Sequence, residues 1–179
     1  MARSTLAILL LTLVSCGTVP VPTDTGPAAE DCGPPIGERC ASFPIPAIPD
    51  GWVGFGTGCG LGFRAPPGLT RIPGRGIDSC VFEYEGASCS VRGEAGQYSG
   101  ALRELEKAEG SRVGQASVNG VQAKIVTARL EREALPFVAA AHFPEPGFSG
   151  SVDFVLACAT AAAREQLLPV LGTILFVRF

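Results

Sequence analysis

The side chains that could carry out chemistry in this chain are seven cysteines and a single histidine, His142. A structural zinc site takes four such ligands, usually with two cysteines two to four positions apart. The sequence has no Cys-x-x-Cys pair, and His142 has no second histidine at metal-ligating spacing. We therefore predict no metal ion and no other cofactor.

The sequence also lacks a supported catalytic set. A serine nucleophile needs a base and an orienting group, and residues 147–151 read Gly-Phe-Ser-Gly-Ser, which misses the final glycine of a nucleophile elbow. Glu83 and Glu85 share one side of a predicted strand, but a chain with 17 acidic residues offers many such pairs. We predict that the protein is not an enzyme.

The amino-terminal cysteine, Cys16, lies at the end of a secretory signal pattern. Arg3 precedes an apolar run over residues 6–14, which is shorter than the roughly 20 residues that span a bilayer. The sequence Leu13-Val14-Ser15-Cys16-Gly17 resembles the lipobox of bacterial lipoproteins. The alternative is a plain signal peptide without lipidation.

The lipobox resemblance implies cleavage before Cys16, a diacylglycerol thioether on its sulfur and acylation of the new amino group. Glycine rather than aspartate at residue 17 implies delivery to the outer membrane, with the chain facing the periplasm. We expect residues 1–15 to be the signal peptide. Residues 16–50 are then a lipidated cysteine with a Pro/Gly-rich tether, and residues 51–179 form one domain.

Because exported domains commonly form disulfides, we expect the other six cysteines to be paired. Six cysteines allow fifteen connectivities. A hairpin of strands 79–85 and 87–92, turning at Glu85-Gly86, would make Cys80 and Cys89 diagonal neighbours, which is awkward for a direct bridge. We predict the following pairs: Cys32 with Cys40, Cys59 with Cys80, and Cys89 with Cys158.

The charge pattern argues against nucleic acid as a partner. Without residues 1–15 the chain has 164 residues, 13 of them Lys or Arg and 17 Asp or Glu, which gives a net charge near −4. The basic residues are scattered, whereas a nucleic-acid binder usually shows a basic face or run.

The segment 54–62 contains alternating glycines but no phosphate-binding pattern. No Gly-Lys-Ser/Thr follows it, and the spacing Gly-x-Gly-x-x-Gly is not met. We predict a mobile or closely packed entry loop. Phe55 in this segment and Trp52 just before it are the candidate binding residues, and the alternative is that Trp52 packs onto the domain.

Hydrophobic periodicity predicts an α+β domain. An antiparallel sheet of about six to seven strands packs with a mid-chain helix over 99–109 and a C-terminal helix capped by Thr160, in which Pro169 causes a kink or a restart. Asn119-Gly120 gives the strongest hairpin signal. Predicted strands cover 61–65, 79–85, 87–92, 112–118, 121–130, 136–143 and 151–159.

This order of elements resembles the PsbP-like fold over residues 61–179. The resemblance is carried by Phe63-Arg64-Ala65-Pro66-Pro67-Gly68-Leu69, by the hairpin sequence Val118-Asn119-Gly120-Val121-Gln122-Ala123, and by the terminal Arg-Phe pair. The chain departs from the pattern at Leu69, where the family has Trp, and at Pro169. The resemblance implies a protein-binding role, because members of the fold act mainly by binding other proteins.

These observations predict a lipid-anchored, non-enzymatic cell-envelope protein that binds an envelope protein partner or assists assembly. The alternative is a periplasmic carrier of a small apolar ligand. A carrier needs a lined cavity of roughly 300 Å³ or more, whereas an assembly factor can be solid.

Overall fold

A computed structural model describes residues 41–74, 76, 78–96, 102–144 and 150–177. This part of the chain is dominated by antiparallel strands with two short α-helices, as the sequence predicts in outline. The strands are β1 (Val53–Gly56), β2 (Leu61–Ala65), β3 (Thr70–Ile72), β4 (Cys80–Glu85), β5 (Cys89–Gly96), β6 (Arg112–Val118), β7 (Val121–Arg129), β8 (Phe137–Phe143), β9 (Ser151–Cys158) and β10 (Leu175–Phe176). The helices are α1 (Leu102–Glu106), α2 (Ala161–Leu167) and a 3₁₀ helix (Leu168–Thr173).

The strands form two sheets. Seven of them make the large sheet, in the order β3-β4-β5-β9-β8-β7-β6, and three make the small sheet, in the order β1-β2-β10. Neighbouring strands are antiparallel in both sheets. The small sheet is an addition to the prediction, since segment 54–62 forms β1, a tight turn and the start of β2 rather than a loop.

The main core lies between the two sheets. Phe63 of the small sheet packs on Phe82 and Phe154 of the large sheet, with ring centroids 6.4 and 5.3 Å away. The 3₁₀ helix and the end of α2 complete this layer. On the opposite face of the large sheet, Leu102 and Leu105 of α1 cover the small side chains of β7 and β8.

The C-terminal helical region begins and breaks where the sequence predicts. Thr160 has extended backbone, and its hydroxyl accepts the Ala163 amide at 3.1 Å, which is the geometry of a helix N-cap. Pro169 stands in the first turn of the 3₁₀ helix. The missing amide of proline costs no hydrogen bond in a first turn, so the chain restarts there instead of continuing α2.

The β4–β5 hairpin has a different register from the predicted one. Cys80 pairs with Ala95 and Glu85 with Ser90, and the Gly86 amide bonds the Cys89 carbonyl at 2.9 Å. The prediction placed Cys80 opposite Val91, so its pairing was wrong by four positions and its turn at Glu85-Gly86 by two. The two cysteines, Cys80 and Cys89, lie at opposite ends of the hairpin rather than diagonally.

Residues that the prediction assigned to the tether cover one edge of the large sheet. Ser42 forms a parallel bridge with Gln115 of β6, where the Phe43 amide donates to the Gln115 carbonyl at 2.7 Å. A side chain on the neighbouring Gly114 would come within 2.9 Å of the Ala41 carbonyl oxygen. Residues 41–43, which we name the strap, therefore shield the backbone of an edge strand.

Candidate functional site

The turn between β1 and β2 is held rigidly against the large sheet. The buried hydroxyl of Thr57 donates to the Leu61 carbonyl at 2.9 Å and accepts the Cys59 amide at 3.1 Å. A disulfide joins Cys59 to Cys80 at the start of β4. The turn is therefore fixed to the large sheet, and the segment forms two paired strands rather than the predicted mobile or closely packed loop.

Trp52 and Phe55 lie inward from this hairpin. Trp52 is 8% exposed and belongs to the main core, as the alternative interpretation has it. The Phe55 ring stacks on Phe63 at 5.2 Å and meets Tyr84 edge-on at 5.3 Å. Binding by these two aromatics stays a prediction, and their rings are largely engaged within the domain.

Three exposed apolar side chains lie in or directly beside the strands of the small sheet. Among the residues that the structure describes, four large hydrophobic side chains are exposed: Ile48 at 42%, Val53 at 44%, Leu175 at 51% and Val177 at 49%. Val53 begins β1, and Leu175 begins β10. Val177 follows β10, and its amide bonds the Gly60 carbonyl at 2.8 Å.

The pairing of the small sheet decides which side chains face away from the core. Leu175 pairs with Gly62, and Gly62 with Gly56. Direct partners across an antiparallel pair lie on the same face, and the alternate residues Leu61 and Phe63 are buried. Leu175 therefore points outward from a face on which its cross-strand neighbours are glycines, and the sequence pattern did not reveal this surface.

A row of polar side chains crosses the other face of the large sheet. His142 pairs with Lys124 on β7 and with Asp153 on β9, and Asp153 pairs in turn with Glu94 on β5. His142 Nδ1 and Asp153 Oδ1 are 2.6 Å apart, and Asp153 is buried. Because a carboxylate only accepts, Nδ1 carries the proton of this hydrogen bond.

The ends of the polar row are also engaged. The Lys124 ammonium forms an ion pair with Glu106 of α1, and Ser79 donates to Glu94 at 2.5 Å. By residue type alone, His142 is a candidate metal ligand or catalytic base, and neither role predicts its position beside Asp153. Strand alternation in β8 and β9 was the signal that could have placed it beside Asp153.

This row resembles part of a catalytic triad, but its contacts are three polar pairs: Lys124 with Glu106, His142 with Asp153, and Ser79 with Glu94. No serine or cysteine hydroxyl or thiol is bonded to His142 within the part of the chain described. Likewise, no group of three or more potential metal ligands lies together in the described ranges. The His142–Asp153 pair is well suited to holding strands β8 and β9 in register.

Two of the three predicted disulfides are confirmed. Cys59 is bonded to Cys80, and Cys89 to Cys158, which is its direct cross-strand partner on β9. Cys32, Cys40 and the predicted lipidation site Cys16 lie outside the described residues. Two disulfides indicate a non-cytoplasmic, oxidising compartment.

A surface groove of about 580 Å³ lies where α1 approaches the β7–β8 connection. Five of its lining residues are charged: Glu109, Arg129, Glu131, Arg132 and Glu133. It opens at the molecular surface rather than between sheet and helix, where the carrier hypothesis requires an apolar cavity.

None of the helices in the described ranges is long and apolar enough to cross a membrane. Comparison with known proteins found no matching family model, no matching curated protein and no matching solved structure.

Proposed function

We propose that this protein is a lipid-anchored, non-enzymatic domain of the bacterial cell envelope that binds an envelope protein through its small sheet. The anchor is Cys16, in the outer membrane and facing the periplasm, and the domain has a PsbP-like fold. The lipobox pattern supports the anchor, and the disulfides support an extracytoplasmic location.

The observation that carries the binding role is the exposure of Leu175 and Val177. Both side chains are about half exposed, and they follow one another at the spacing of a strand. Isolated apolar residues are common on protein surfaces. Leu175 and Val177 are instead a pair on the outward face of the small sheet, whereas the exposed Val53, opposite buried Ala65, lies on the other face. An ordered apolar surface on a disulfide-fixed sheet is suited to a protein partner.

Site-specific photocrosslinking in intact cells tests this proposal. A benzophenone amino acid at position 175 should give one adduct of defined mass, whereas the same group at Glu104, an exposed residue of α1, should give none. Substitution of Cys16 by Ala should abolish the adduct at position 175, because it releases the domain from the membrane. Equal adducts from positions 175 and 104 would contradict a specific surface.

A matched pair of variants separates binding from folding. Leu175→Ser with Val177→Ser should abolish capture while leaving the unfolding midpoint nearly unchanged, since both side chains are half exposed. Lys107→Ser, on the far side of the large sheet, is the control and should capture the partner normally.

A further inference from the structure

Strand β1 is an edge of the small sheet, and the direction of its backbone groups can be derived. The Thr57 amide bonds the Leu61 carbonyl at 3.0 Å, which fixes these two residues as a hydrogen-bonded pair. Such pairs alternate along an antiparallel ladder, so Phe55 faces β2 with its amide and carbonyl. Gly54 and Gly56 therefore direct theirs away from β2.

Three of these four outward groups have no protein partner in the described structure. The Gly56 carbonyl accepts the Tyr84 hydroxyl at 2.7 Å. No hydrogen bond from the described residues reaches the amide or carbonyl of Gly54, or the amide of Gly56. Both glycines are exposed. Unpaired groups along an exposed edge strand are complementary to an added strand.

Two arginines flank this edge. Arg64 Nη2 donates to the Trp52 carbonyl at 3.0 Å, before β1, and Arg71 Nη2 donates to the Thr57 carbonyl at 2.8 Å, after it. Both residues are exposed, and no carboxylate pairs with either within the described ranges. Trp52 and Thr57 are five positions apart, which spans roughly 17 Å along a strand.

We propose that the outer edge of β1 binds an extended acidic segment of the partner protein by strand addition. The main chain of that segment bonds Gly54 and the Gly56 amide, and its carboxylates meet Arg64 and Arg71. Leu175 and Val177 lie on the β10 side of the small sheet and the edge lies at β1, with β2 between them. Two strand spacings, about 10 Å, separate the two features, so one partner can contact both. This inference rests on the proposed function and specifies the chemistry of the partner.

The edge can be tested without the natural partner. The probe is an acetylated and amidated peptide, Thr-Glu-Val-Thr-Val-Glu-Thr-Val, titrated into the full oxidised chain in detergent solution. Gly54→Pro removes the outward amide, and proline is tolerated where an edge-strand amide faces solvent. We expect it to weaken peptide binding by about tenfold, the effect of one or two hydrogen bonds.

Gly54→Ala is the matched control, because a side chain there would meet nothing within 4 Å and the amide is kept. It should bind the peptide within about twofold of the unsubstituted chain, since it loses no hydrogen bond. Equal binding by the proline and alanine variants would overturn the proposal. If the proline variant does not fold, hydrogen exchange replaces it: the peptide should slow exchange at the Gly54 and Gly56 amides, and unchanged exchange is the overturning result.

The charge requirement has its own control. A peptide with Gln at both Glu positions should bind about tenfold more weakly, and the difference should shrink as salt screens the arginines. Equal binding of the Glu and Gln peptides would overturn the acidic assignment. If Gly54→Pro leaves the crosslink at position 175 unchanged, strand addition is contradicted and the proposed function stands. If position 175 gives no specific crosslink in the chain that keeps Gly54, the proposed function itself is contradicted.

Discussion

His142 Nδ1 lies 2.6 Å from Asp153 Oδ1, across the pair of central strands β8 and β9. The aspartate is buried, and its cross-strand neighbour on the other side is another acid, Glu94. Like charges on facing positions destabilise a sheet. The imidazole and the hydroxyl of Ser79, which donates to Glu94, therefore compensate two adjacent carboxyl groups.

Replacing His142 by Ala should lower the free energy of unfolding by about 1–3 kcal/mol, because a buried carboxyl group loses a hydrogen-bond donor. Urea unfolding followed by far-UV circular dichroism measures this. Lys107→Ala is the control, since the Lys107–Glu104 pair is 71% and 80% exposed and should contribute little. Equal effects of the two substitutions would show that the His142–Asp153 hydrogen bond contributes no more to stability than an exposed ion pair.

Removing either disulfide should lower the free energy of unfolding, and by different amounts for the two. Replacing Cys59 and Cys80 by Ala opens a loop of 21 residues and should cost about 3 kcal/mol, whereas replacing Cys89 and Cys158, 69 residues apart, should cost about 4 kcal/mol. The fully buried Cys158 adds a packing loss to the second value. Denaturant unfolding of the two double variants gives the comparison, and the reverse order would argue against chain entropy as the main cause.

Gly93 in β5 is required by close packing. A methyl group there would lie 2.3 Å from the Phe82 ring and 2.7 Å from the Asp153 carbonyl oxygen. Because Phe82 is fully enclosed, we expect Gly93→Ala to cost about 1–3 kcal/mol, the usual penalty for overpacking. Thermal unfolding measures it. Gly56→Ala, which meets nothing within 4 Å, should leave the midpoint nearly unchanged, and a similar loss there would point to a general intolerance of alanine.

Asn119 has two separable roles. Its φ of 49° with the 81° of Gly120 gives the tight β6–β7 turn, and its side-chain amide donates to the Ile174 carbonyl at 2.6 Å. Asn119→Gly keeps the turn conformation and loses only that hydrogen bond, so it should cost about 1 kcal/mol. Asn119→Ala loses the hydrogen bond and also strains the turn, because alanine disfavours a positive φ, so it should lower the free energy of unfolding by about 1 kcal/mol more. Chemical denaturation of the two variants measures the difference, and identical losses would mean that the turn imposes no conformational requirement.

Local signals predicted much of this architecture. Asn119-Gly120 gave the bounds of β6 and most of β7, and Thr160 gave the start of α2. Each depends on the chemistry of a few adjacent residues, so neighbours in space were not needed. The pairing of Cys89 with Cys158 was harder to derive, because it depends on β9 lying beside β5.

The β4–β5 register shows why periodicity alone was insufficient. The predicted and observed pairings differ by four positions, and an even shift leaves every side chain on the same face. Phe82 and Tyr84 were therefore assigned to the core in both cases. The choice depends on packing, since Gly93 must lie opposite Phe82 to leave room for its ring.

The candidate site was least accessible to sequence reasoning. Gly54, Gly56 and Gly62 contribute no side chains to an alternating pattern, so β1 carried no strand signal. Trp52 and Phe55, beside these glycines, were predicted to bind a partner, yet their large rings pack in or against the core. The exposed Leu175 begins a two-residue strand and Val177 follows it, and only the paired structure distinguishes the two sides of this strand.

The strap lies far from the proposed binding edge. It joins the body at β6, whereas Arg71, beside the proposed binding edge, belongs to β3 at the opposite margin of the large sheet. Six strand spacings separate these margins, or roughly 29 Å at about 4.8 Å each. Tension on residues preceding the strap would thus be applied to one margin while the proposed partner occupies the other. Under the proposed function, the large sheet is a stiff spacer between the bound segment and the point of attachment.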